Sequence, residues 1–130
     1  MIMQETNKKL SIISDTKVRD VQTEFELLYP FLKIEFAKRG SEIFSESQKI
    51  NPDALLSRFS NLPMSVVVNV DEERTIAEVE KDCMALLGLT VQICRKSGNV
   101  CNAISLTNNW TLQSQNAAGE FISTEMQKAS

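Results

Sequence analysis

The chain has 130 residues, 42% apolar and 24% charged, the size and balance of one ordinary globular domain. A net charge of -3 and a pI near 5.0 exclude the positive field that non-specific nucleic-acid binding needs. No apolar run approaches the roughly 20 residues of a membrane helix, and "MIMQETNKKL" lacks a signal peptide's apolar core, so a cytoplasmic protein without membrane contact is expected.

In chain order, "KLSIIS" predicts a strand and "DT" a turn. Val18, Val21, Phe25, Leu28 and Tyr29 recur at helical spacing, and Pro30 stops that helix. Leu32, Ile34 and Phe36 alternate with Lys33, Glu35 and Ala37, the pattern of a half-buried strand. Arg39-Gly40 makes a turn, and "SEIFSE" is expected to return as a strand. Asn51-Pro52 supplies a cap and a first-turn proline for a helix whose apolar face holds Leu55, Leu56 and Phe59.

The second half repeats this order. "MSVVVNV" predicts a strand and "DEER" a turn. Thr75 and Glu78 form a capping box that opens a helix with an apolar face of Ile76, Val79, Cys83, Leu86 and Leu87. Gly88 ends it, because glycine tolerates the left-handed conformation. Leu89, Val91 and Ile93 alternate in the next strand. A Ser97-Gly98 turn sets Arg95 opposite Val100, Ile93 opposite Asn102, and Cys94 opposite Cys101. Asn109 or Thr111 caps a last helix over roughly Trp110 to Phe121.

Val18 matches Ile76, Val21 matches Val79, Leu28 matches Leu86, Gly40 matches Gly98 and Asn51 matches Asn109. The separation is the same in every pair, with a compensated one-residue slip between them. The expected architecture is α+β: a ferredoxin-like sandwich built from a tandem duplication of a β-α-β-β-α unit, with mainly antiparallel sheet. The repeats run approximately over 8–60 and 64–121, and a unit of that size has a thin core alone, so one fused domain over 1–130 is expected.

The phrases "TVQICRKSGNV" and "NNWTLQSQN" resemble a group of small uncharacterised bacterial proteins. In those proteins an aromatic often stands where this chain has Cys94 and Cys101, and acids stand where it has Asn108 and Asn109. The resemblance covers the last half of the chain and, more loosely, the first. It implies a shared fold and no known activity.

Chemistry-bearing motifs are sparse. The chain has no histidine and only four glycines. It carries no Walker loop, Rossmann glycine set, nucleophile elbow or zinc motif. No catalytic residue, cofactor or metal is expected. The three cysteines, Cys83, Cys94 and Cys101, read as reduced structural thiols, with a Cys94–Cys101 bridge conditional on suitable geometry. The carboxylates read as solvated helix faces.

The candidate interaction surface comprises the two basic hairpin tips, Lys38 and Arg39 with Arg95 and Lys96, together with Trp110. Equivalent tips could hold an anion or an acidic peptide, although lysines at strand edges also guard against edge pairing. Trp110, the only tryptophan, is expected to staple the last helix to the core; the alternative is that it anchors a partner. The expected function is a small non-enzymatic interaction module, binding a protein partner or itself. The alternative is a small-ligand-binding regulatory domain of ferredoxin-like type. An enzyme of unfamiliar kind has the least support.

Overall fold

The computed structural model describes residues 8–38, 49–59, 65–97, 100–103 and 109–129. Among them the chain forms β1 (Lys9–Ile13), α1 (Val18–Leu28), β2 (Leu32–Ala37), a 3₁₀ turn (Leu56–Arg58), β3 (Ser65–Asn69), α2 (Ile76–Leu87), β4 (Thr90–Ser97), β5 (Val100–Ala103) and α3 (Leu112–Ala129). The fold is α+β. The Arg39-Gly40 turn and the expected "SEIFSE" strand lie outside the described residues.

The described strands form two antiparallel sheets, β1-β3 and β2-β4-β5, in place of the single ferredoxin-like sheet that the order of elements predicts. Each sheet joins a strand of the first half to one of the second, β1 to β3 and β2 to β4. Leu10 pairs with Val68 at the same separation that relates the matched helix positions, and Glu35 pairs with Gln92, one position short of it. In the hairpin, Cys94 pairs with Ala103, Arg95 with Asn102 and Lys96 with Cys101. The innermost pair is Ser97 with Val100. Every partner on β5 is thus shifted by two positions from the expected register, and a shift of two preserves the alternation of the strand. Cys101 is therefore diagonal to Cys94 and not opposite it.

Both main helices begin where the sequence places them, by different means. At α2, Thr75 Oγ1 accepts the Glu78 N–H (3.1 Å) and Glu78 Oε1 accepts the Thr75 N–H (2.9 Å), completing the expected box. At α1, Asp20 accepts the Lys17 N–H (2.9 Å), but a lysine cannot accept the helix amides in return. The carbonyls of Ala54 and Pro52 take over, accepting from Val18 (3.0 Å) and Arg19 (2.8 Å). The described residues 53–59 after Asn51-Pro52 accordingly form no α-helix. Leu55 bridges to Lys17, and only the 3₁₀ turn at Leu56–Arg58 remains of the expected helix. The second half has a matching joint: Ile76 N–H donates to Trp110 O (3.1 Å) and Leu112 N–H to Arg74 O (2.8 Å), as Val18 does to Ala54 and Leu56 to Thr16 (3.0 Å).

Gly88 closes α2 at φ 70°, as expected of a left-handed cap. The inward stripe of α2 is Ile76, Val79, Cys83 and Leu87. Leu86, expected on that stripe, is 46% exposed, because it lies about 100° around the helix from Leu87. Helix α3 starts two residues later and runs farther than the expected Trp110–Phe121.

One buried cluster joins both halves, with Phe25, Tyr29, Ile34 and Phe36 from the first and Val68, Val79, Leu89 and Ile93 from the second. Tyr29 is its polar tie: its hydroxyl donates to the Val70 carbonyl at 2.6 Å, and Lys8 Nζ lies 4.9 Å from its ring centre. Burial, then the nearby Glu72 and Asp71 carboxylates, push this hydroxyl above its ordinary value near 10. Burial also pushes the Cys83 thiol up to about 12. Both groups are held protonated by the fold more strongly than in the unfolded chain. Their contribution is thus complete below the ordinary values and is lost as pH rises past them. Urea unfolding will accordingly show falling stability above about pH 9. Tyr29→Phe will remove the tyrosine part of that slope and lower neutral stability by about 1–3 kcal/mol, because the Val70 carbonyl loses its donor.

Candidate functional site

The sequence-derived surface residues are dispersed. Lys38 follows β2 at one end of the β2-β4 ladder, exposed, with Nζ 5.8 Å from the centre of the Phe59 ring. Arg95 pairs with Leu32 at the other end, about 20 Å away at the rise of an extended strand. Lys96, beside it, is ion-paired with Glu26 of α1. Lys38 is thus at the opposite end of the ladder from Arg95 and Lys96, too far from them to share one small anion. Arg39 lies outside the described residues.

Trp110 departs from the expected core position. Its carbonyl is fixed by the Ile76 amide, yet the residue is 45% exposed. Leu112, fully buried, fills the core at the start of α3 in its place. Leu27 and Phe121 are also exposed, each on the outward side of its helix.

Cys83 is free and buried. Cys94 is disulfide-bonded, against the expectation of reduced thiols. Among the described residues, no group of three or more Cys, Asp or Glu side chains is arranged to hold a metal ion, and no helix is long and apolar enough to cross a membrane.

A polar cavity of about 410 Å³ opens along the outer side of β2, lined by Gln22, Lys33, Glu35, Lys49 and residues 50–52. Strand alternation puts Lys33 and Glu35 on one face, opposite Leu32, Ile34 and Phe36. The segment after residue 48 lies against the strand edge: Lys49 bridges to Ala37, and the Ile50 N–H donates to Phe36 O at 2.8 Å. From α1, Gln22 Nε2 donates to Ile34 O at 2.9 Å. Glu35 is therefore buried among polar groups, with one oxygen 3.0 Å from Lys33 Nζ and the other 3.6 Å from Lys49 Nζ. Its carboxylate lies between the two ammonium groups. None of them forms a nucleophile–base pair.

Sequence reasoning does not find this cavity. Lys33 and Glu35 have the pattern of the solvated face of a half-buried strand, but Glu35 and Ala37 are buried along with Ile34 and Phe36. The covering segment joins from residue 49 onward, and periodicity does not report such contacts. One signal is present: at the matching positions of the second half stand Thr90 and Gln92, so the charges belong to one half only. There the helix residue matching Gln22 is Glu80, which accepts the Ile93 N–H at 3.1 Å and whose carboxyl burial raises above its ordinary range.

Comparison with family models, with curated proteins and with solved structures returns no match to this chain.

Proposed function

We propose that the chain is a tandem duplication of a β-α-β-β-α unit, folded as one domain, and that it works as a small non-enzymatic protein-interaction module. The duplication is supported by the pairing of matched strands around Leu10–Val68 and Glu35–Gln92, and by the matching backbone joints at the starts of α1 and α2. The β-α-β order of each half is that of a ferredoxin-like unit, although the strands divide between two sheets.

The observation that carries the interaction reading is Trp110. A large, rigid aromatic whose carbonyl is held by the Ile76 amide, and half exposed, is the kind of residue that dominates interface energetics. The chain purified gently from its own cells will retain a stoichiometric protein partner or copy of itself, and Trp110→Ala will weaken that association by about 2 kcal/mol or more. Recovery of a lone monomer at every concentration would remove this reading.

A second reading, a small-ligand-binding regulatory domain, is favoured by the cavity beside Glu35. Its charged groups are not required by the architecture, since Thr90 and Gln92 serve at the matching positions.

A further inference from the structure

We infer that the outer edge of β3 is a self-association surface, where a second copy of the chain adds its own β3 antiparallel about Val67. The inference rests on the interaction reading above and names the partner.

The backbone sets which groups are open. The Val70 N–H donates to Lys8 O at 2.8 Å. Bonded and non-bonded pairs alternate along an antiparallel ladder, so Leu10–Val68 and Ile12–Val66 are bonded pairs and Ser11–Val67 is not. The N–H and C=O of Val67 therefore point away from β1, and no hydrogen bond closes them among the described residues. Val67 is 50% exposed on the outer face, and Ile13 of β1 is 48% exposed on the same face.

Neighbouring strand edges carry guards. Along β2, Gln22 donates to Ile34 O and the Ile50 N–H donates to Phe36 O. On β4, Glu80 accepts the Ile93 N–H. On β1, Thr16 Oγ1 accepts the Ile13 N–H at 2.9 Å, and Lys9 lies within the strand. Over Ser65–Asn69, β3 has no charge, proline or bulge, the composition of an edge that pairs. Pairing with a copy would extend the two described strands of this sheet to four.

The order of residues in β3 selects a second copy. Ser-Val-Val-Val-Asn is close to palindromic about Val67. A twofold axis there sets Val67 opposite Val67, Val66 opposite Val68 and Ser65 opposite Asn69. Inward valines then meet inward valines, and the two Val67 residues exchange both of their backbone hydrogen bonds. The register centred on Val66 would set Asn69 opposite Pro63, which has no N–H to give.

Charge agrees with this choice. The chain carries a net charge of -3, so two copies repel, but here they meet with no charged residue on either strand. The acids that follow are engaged by Lys8 of their own chain. Asp71 Oδ1 accepts its backbone N–H at 2.6 Å, and Glu72 Oε1 accepts from its Nζ at 2.8 Å. Arg74 ties the Asn69 end of the edge to the Trp110 joint: its Nη1 lies 3.5 Å from Asn69 O, and its carbonyl accepts the Leu112 N–H. The twofold axis brings that end beside Ser65 of the copy, whose ladder partner is the exposed Ile13.

The test is sedimentation equilibrium of the full chain over a wide concentration range, with amide hydrogen exchange measured at both extremes. The expected result is a monomer–dimer equilibrium in which the Val67 amide gains about tenfold protection at high concentration. The Ser11 amide, on the far edge of β1, should gain none. Val67→Lys and Val67→Glu should each weaken dimerisation about tenfold, because like charges then face each other across the axis. An equimolar mixture of the two variants should recover it, which a residue needed only for folding would not do. Circular dichroism shows whether each variant is folded; if one is not, the exchange measurement on the parent chain decides.

Three results overturn the inference, with different consequences. A dimer indifferent to both substitutions, with the Val67 amide unprotected, refutes the β3 edge and leaves the interaction reading standing. A chain that never dimerises yet retains a different protein from its own cells refutes the second copy and also leaves that reading standing. A monomer at every concentration with no partner removes both.

Discussion

A Phe25→Ala variant will unfold in one transition, at a stability about 3–5 kcal/mol below that of the parent chain. Phe25 is fully buried on α1, and its ring lies 5.5 Å from that of Tyr29. Truncation removes apolar area and leaves a cavity that the surrounding strands of both sheets cannot easily fill, because packed interiors relax only in part. The informative aspect is where the loss is felt. The substitution is in the first half, while the only tryptophan, Trp110, is in the second. Since the buried cluster and the Tyr29–Val70 hydrogen bond span both halves, Trp110 fluorescence and far-ultraviolet circular dichroism should report the same lowered urea midpoint. A Trp110 transition left at its original midpoint, with an earlier second phase in the dichroism, would mean two lobes and would sink the single fused core.

Gly119→Ala will destabilise the protein by about 1–3 kcal/mol, although the same change in an open helix stabilises by about 1 kcal/mol. Gly119 is in the middle of α3, and a Cβ placed there would lie 2.9 Å from both Cβ and the carbonyl oxygen of Phe31. The obstacle includes backbone, and that backbone is the entry to β2. It is held in place by the Asn116 side chain, whose Oδ1 accepts the Phe31 N–H at 2.9 Å, and by the Lys96 N–H, which donates to Phe31 O at 3.0 Å. Accommodating a methyl group therefore means moving α3 off the sheet. The sign of the change decides the matter in a denaturation experiment. A stabilised Gly119→Ala would show that α3 does not pack this closely on the chain before β2.

Much of the local structure is legible in the sequence because it depends on neighbours in the chain. The capping box at Thr75 and Glu78, the glycine stop at Gly88, the stripe of Val18, Val21 and Phe25, and the alternation of Leu32, Ile34 and Phe36 all form as expected. Each is a matter of hydrogen-bond reach or side-chain period over a few residues. Expectation and structure part where a local signal meets a distant demand. Asn51-Pro52 carries good helix-start chemistry, but the unsatisfied amides of α1 draw the Pro52 and Ala54 carbonyls into a bridge. Trp110 has the position of a staple, but Leu112 is better placed for the core.

The candidate site shows the same division. Basic residues are easy to find at hairpin tips, yet antiparallel pairing of matched strands sends Lys38 and Arg95 to opposite ends of the ladder. Lys33 and Glu35 are visible in the sequence only as an alternating polar face. What they become depends on Lys49 and the segment after it closing over β2.

The sequence by itself determined the order of elements, the apolar faces of α1, α2 and β2, and the recurrence of one pattern in the second half, because these follow from spacing, capping and turn chemistry. Only the tertiary structure decided that β1 pairs with β3 and β2 with β4 in two sheets, that Trp110 stays at the surface and that Glu35 is buried between two lysines. Those outcomes depend on which distant groups compete for the same backbone partners and the same core volume, a competition that no local window of sequence contains.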